Sequence, residues 1–173
     1  MRRLFTFSVF LLAFALLFSS AAPVMAAEET VQIISPWQSS GRVFITGENE
    51  LKFLGSFEGV MYIQNEARGT FDAAAFTCPV TIELDAKEGK TRILGNFIIT
   101  SKTGDTVYAK LTADGVIGSS HGKFTITGGT GKLKGITGSG EIFIRTALGS
   151  LAVGMQSGAQ LEALGLAIEQ AHL

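Results

Sequence analysis

Residues 124–144, FTITGGTGKLKGITGSGEIFI, carry one short alternating segment into six closely spaced glycines and out into a second alternating segment. Gly128, Gly129, Gly131, Gly135, Gly138 and Gly140 stand between two stretches of β character. Positive φ or tight curvature at such a junction is cheap only for glycine. The segment therefore speaks of architecture: two strands joined by a sharply curved connection.

Period-two alternation recurs along the rest of the chain with turn signals between the runs, which argues for antiparallel sheet. Residues 51–63 place Leu51, Phe53, Gly55, Phe57, Gly59, Met61 and Ile63 on one face and Lys52, Leu54, Ser56, Glu58, Val60 and Tyr62 on the other. A turn at 65–69 precedes a segment at 70–76 that begins near Phe71, and a further run at 79–85 sets Val80, Ile82 and Leu84 together. AKEGK at 86–90 reads as a hairpin turn into 92–100, with Ile93, Gly95, Phe97 and Ile99 aligned. SKTGD at 101–105 then returns the chain into Val107, Ala109 and Leu111. Phe124 and Ile126 on one side of the glycine run, and Ile142 and Ile144 on the other, complete an inward set in which no residue is ionisable. Leu54, Val60, Leu94, Ile98 and Phe143 fall on the outer faces.

Residues 159–171, AQLEALGLAIEQA, are rich in helix formers with Leu161, Leu164 and Ile168 at helical spacing. As a strand the segment would instead close a barrel and remove an exposed edge, and Gly158 and Gly165 favour that reading. Roughly eight strands with turns every 8 to 12 residues predict a sandwich or a closed barrel, and the glycines within strands select the barrel.

The N-terminus has the form of an export signal: Arg2 and Arg3, an apolar run at 4–18, then Val24-Met25-Ala26 as the small-residue site. A membrane anchor needs about 20 apolar residues, and this run is shorter. The expected division is a signal peptide helix at 1–26 and a single domain at 27–173, destined for the periplasm or the extracellular medium. The first 26 residues hold five of the 13 Phe and none of the 21 Gly, so the remaining domain is glycine-rich and of ordinary hydrophobicity. Without Arg2 and Arg3, 12 basic side chains face 15 acidic ones, scattered along the chain. Nucleic acid is excluded as a partner, because phosphate binding requires a basic stripe and Lys123, Lys132 and Lys134 read as a solvated loop face. The lack of ten-residue strands with aromatic girdles likewise argues against an outer-membrane barrel.

GGTGK at 128–132 invites comparison with a phosphate-binding loop and fails it. Lys132 is followed by Leu133 instead of Ser or Thr, the leading glycine is misplaced, and no helix follows. His121 and His172 have no partner at metal-ligand spacing, so no metal or other cofactor is expected. The sole cysteine, Cys78, excludes an intrachain disulfide and reads as a small buried hydrophobe, since Phe76, Thr77 and Pro79 supply no activating charge.

Taken together, Cys78-Pro79, GDTVYA at 104–109 and FTITGGTGKLKGITGSG at 124–140 resemble, in this order, the allene oxide cyclase and dirigent-like barrels, and are similar to small exported bacterial members of that superfamily. The resemblance covers about residues 55–143. It implies an eight-stranded antiparallel barrel with a largely apolar lumen, often assembled as trimers. The polar residues that the plant cyclases and dirigent proteins use lie outside the glycine motif, so no catalytic or ligand-binding residue is carried over. The leading expectation is an exported, non-catalytic barrel that binds a small apolar molecule or serves as a structural envelope protein. The rival is an isomerase, cyclase or dirigent-type protein, which would need polar groups at the barrel mouth.

Overall fold

A computed structural model of the chain describes residues 30–64, 69, 71–147 and 156–172. Within them lie eight strands: β1 (Thr30–Ile45), β2 (Glu50–Ile63), β3 (Ala74–Asp85), β4 (Lys90–Thr100), β5 (Thr106–Val116), β6 (Ser119–Gly129), β7 (Ser139–Ala147) and β8 (Ala159–His172). Each pairs antiparallel with its sequence neighbour, and β8 pairs with β1, so the sheet closes in simple up-and-down order. No α-helix occurs among the described residues, and the expected signal segment at 1–26 lies outside them.

Alternation decides which side chains fill the barrel. Phe53, Phe57, Met61, Val80, Ile93, Phe97, Val107, Leu111, Phe124, Ile142 and Ile144 are all buried, as the pattern predicts, while Leu54, Leu94 and Ile98 lie outside. Two strand boundaries differ from expectation. The segments at 70–76 and 79–85 form one strand from Ala74, because Pro79 sits at an outward position facing Ser56 and its missing N–H does not break the β2–β3 pairing. β1, unforeseen in the sequence, is the longest strand and supplies Val31, Ile33, Ser35, Trp37, Ser39 and Val43 to the interior.

Glycine in the strands answers to rings in the lumen. A Cβ at Gly165 would overlap the Trp37 indole, one at Gly140 would overlap the Phe124 ring, and one at Gly41 or Gly55 would overlap Phe53. Each large ring therefore lies flat across a neighbouring strand that has no side chain there. This is how the barrel accommodates these rings without its strands being forced apart.

The two ends of the barrel differ. The expected corner at 130–138 forms a 3-10 turn (Gly131–Leu133), with Gly131 at φ +54° beside the Asp105 carboxylate. Thr130 accepts from the Thr106 N–H through its hydroxyl at 2.9 Å and donates its own N–H to the Thr106 carbonyl at 2.8 Å. The glycine connection is thereby pinned to the 101–105 turn. Leu133, Ile136 and Phe71 pack against the core at this end. The opposite end, bounded by the turns at 46–49, 86–89 and 117–118, is open among the described residues.

Candidate functional site

An apolar cavity of about 250 Å³ enters the barrel from the open end. All eight strands contribute to its walls: Val43 from β1, Leu51, Phe53 and Phe57 from β2, Ile82 and Leu84 from β3, Ile93 from β4 and Leu161 from β8 present inward positions, β6 and β7 add Ser120 and Thr146, and the exposed Val116 stands at the end of β5. The polar atoms in this lining belong to hydroxyls and backbone. Thr91 and Ser120 satisfy one another at 3.0 Å, and Ser39 and Thr146 complete the set. None of the described residues in the lining is ionisable.

Trp37 and Phe57 form the floor. Their ring centroids are 4.6 Å apart at 30°, and the indole lies over the neighbouring strand β8, its Cε2–Cζ2 edge against Gly165, the residue paired with Trp37. Below them Phe76 and Phe97 meet edge-on at 5.6 Å. The rings divide the lumen into the open cavity above and a much smaller space below.

Glu169 lies beside that lower space. Glu169 is 4% exposed, on the inner face of β8, and Ser35 donates its hydroxyl to Glu169 Oε2 at 3.2 Å. Burial pushes the Glu169 acid up from 4.5 to about 7, against the smaller opposing effect of the Ser35 hydrogen bond. The inner face is thus not free of ionisable groups, which corrects the expectation of an uncharged lumen. The Trp37 indole N–H is buried and has no acceptor among the described residues.

The residues considered in the sequence are scattered. Cys78 is fully buried and its thiol is pushed up to about 12, chiefly by burial, with Glu169 adding to the rise; it is the inert small hydrophobe expected. His121 is exposed, 3.7 Å from Glu141, while His172 ends β8 beside Thr30 at 3.2 Å. Neither histidine lines the cavity. Lys123, Lys132 and Lys134 are exposed, and Glu83 faces outward, paired with Lys52 at 3.0 Å. No group of three or more potential metal ligands occurs among the described residues.

Trp37, Ser35 and Glu169 escaped the sequence reading. β8 reverses the usual rule: Leu164, Leu166 and Ile168 point outward, and Ala163, Gly165, Ala167, Glu169 and Ala171 point inward. The available signal was the period-two run of small residues from 163 to 171 with one glutamate in the same phase. Comparison of the chain with protein-family models, curated proteins and solved structures returned no match.

Proposed function

We propose that this chain is an exported barrel that takes one small apolar molecule into its open mouth and performs no chemistry on it. The observation that carries the reading is the cavity of about 250 Å³, walled by aliphatic and aromatic side chains. An engineered cavity of about 150 Å³ lined by similar residues stays dry and holds benzene, so this one suits a ligand of about ten carbon atoms. Burial of such a ligand is favourable at roughly 25 cal/mol per Å² of apolar surface.

Export rests on the signal-like residues 1–26. Charged pairs on the outer faces, Lys52 with Glu83 and Arg92 with Asp114 at 4.0 Å, support an exterior bathed in water. The glycine connection and the closed eight-stranded barrel support kinship with the allene oxide cyclase and dirigent-like barrels, and with it self-association as a trimer. The rival reading, an isomerase or cyclase acting at the mouth, draws no support from the cavity lining, because general acid–base catalysis needs a titratable group within hydrogen-bond reach of substrate.

Naphthalene, with ten carbons and its own fluorescence, tests the proposal. Saturable one-to-one binding is expected, abolished by Ala163→Phe, which grows a ring into the cavity. Absence of saturation, or binding untouched by that substitution, refutes it.

A further inference from the structure

The cavity wall is not uniform around the barrel. Its inward side chains from β2 and β3 are Leu51, Phe53, Phe57, Ile82 and Leu84, whereas Ser39, Thr91, Ser120 and Thr146 bring hydroxyls to it from β1, β4, β6 and β7. Thr91 and Ser120 differ from the other two because they meet, at 3.0 Å. Next-nearest strands lie roughly 9–10 Å apart, so two short side chains touch across an intervening strand only where the sheet curves inward and nothing stands between them. Strand register supplies that gap. Thr91 pairs with Gly115 of β5, and Gly115 pairs with Ser120. Directly paired residues share one face of a sheet, and Leu111 and Ala113, buried in the same phase as Gly115, identify it as the inner face. A Cβ at Gly115 would stand 3.0 Å from Ser120 Oγ, so the hydroxyl lies over the bare glycine on the lumen side.

That bond satisfies the pair only in part. Two hydroxyls carry two protons, one hydroxyl donates to the other, and the second proton is left over. Neither Thr91 nor Ser120 makes another side-chain hydrogen bond among the described residues. Ser120 is 6% exposed, and a buried donor with no acceptor costs roughly 1–3 kcal/mol. The cavity lining beside the pair, Ile93, Val116 and Ile117, offers no side-chain acceptor.

We propose that the Thr91–Ser120 pair is the polar anchor of the cavity, and that the molecule it holds is an uncharged apolar carbonyl compound such as a cyclic ketone. This rests on the reading of the open cavity as a site for an apolar molecule. The hydrocarbon lies against Phe53, Phe57, Ile82 and Ile93, and the carbonyl oxygen accepts the remaining O–H of the pair. A carbonyl oxygen suits the pair because it is an acceptor only, and an acceptor is what the pair lacks. An alcohol brings a further proton that needs a partner of its own. A carboxylate would be an ion drawn out of water with no cation in the described lining to pair with it.

The test is displacement of naphthalene by cyclooctanone and by cyclooctane, from the unaltered chain and from the double variant Thr91→Val with Ser120→Ala. Valine keeps the shape of threonine, and removing both hydroxyls together leaves neither stranded. Cyclooctanone is expected to weaken about tenfold in the double variant, the equivalent of one hydrogen bond, while cyclooctane holds or tightens. The carbonyl stretch of bound cyclooctanone reads the bond itself. In the unaltered chain it should lie below its frequency in cyclohexane, and in the double variant it should return towards that value. A stretch at the cyclohexane frequency in the unaltered chain overturns the anchor. So does equal weakening of both ligands, the sign of a purely structural role, or an unchanged affinity for cyclooctanone, the result if water keeps the remaining O–H. Each of these leaves the cavity reading standing as long as cyclooctane displaces naphthalene. Displacement by neither probe from the unaltered chain overturns both.

Discussion

Replacing Glu169 by glutamine isolates the cost of a carboxyl group inside the barrel. In the fold the acid titrates near 7, against 4.5 ordinarily, and burial is the main cause. Because the folded-state value lies above the unfolded one, the fold favours the neutral acid. Its contribution is complete below about pH 4.5 and is lost as pH rises through 7. A difference of about 2.5 pH units corresponds to about 3 kcal/mol, an upper value because relaxation and water entry lessen the penalty.

The amide introduced by Glu169→Gln cannot ionise, so the variant should lack this fall. Urea unfolding at pH 4.5, 6 and 8 measures it, with the difference between variant and parent cancelling the titration of the groups common to both. Relative to the parent, Glu169→Gln is expected to gain about 3 kcal/mol between pH 4.5 and pH 8, equivalent to roughly 10 °C in Tm for a domain of this size. A variant-minus-parent difference that does not change with pH would show that Glu169 is solvated or paired in the fold, and the account of the lumen would fail with it.

Three further expectations follow from the packing. Gly165→Ala drives a methyl group into the Trp37 indole and the Arg145 carbonyl; it should destabilise the barrel by about 2–3 kcal/mol and redden the emission of this sole tryptophan, and a neutral effect on both would refute the flat seating of the indole. Cys78, buried and with its thiol pushed up to about 12, should react with a thiol reagent at pH 8 only as fast as the barrel opens, so labelling at the rate of an unfolded control contradicts its placement. Leu164, Leu166 and Ile168 present an apolar outer stripe on β8, with Leu164 63% exposed; if trimers form through it, Leu166→Lys shifts the light-scattering mass from trimer to monomer at micromolar concentration, and an unchanged trimer places the contact elsewhere.

Most of the barrel was legible because seven strands obey alternation or end in clear turns. Phe53, Phe97 and Leu111 announce their inward faces, and the glycine run at 128–140 announces a corner. What stayed hidden traces to volume rather than polarity. Trp37 and Phe57 fill the lumen beside β8, so that neighbouring strand carries Ala and Gly inward and is free to carry Leu and Ile outward. A hydrophobicity pattern assigns such a strand to the wrong face, and Glu169 disappears with it. β1 was missed for a related reason: Ser35 and Ser39 occupy inward positions next to Trp37, which breaks the apolar phase. The open cavity depends on how far rings reach across the lumen, and strand periodicity does not contain that length.

The central claim is that the end of this barrel left open by the described residues holds an apolar cavity able to accept a guest. Xenon pressurisation of crystals tests it most directly, since dry apolar cavities take up xenon. The expected result is a xenon peak among Phe53, Phe57, Ile82 and Ile93, above the Trp37 ring. A lumen closed by those side chains, with no xenon bound there, would contradict the account.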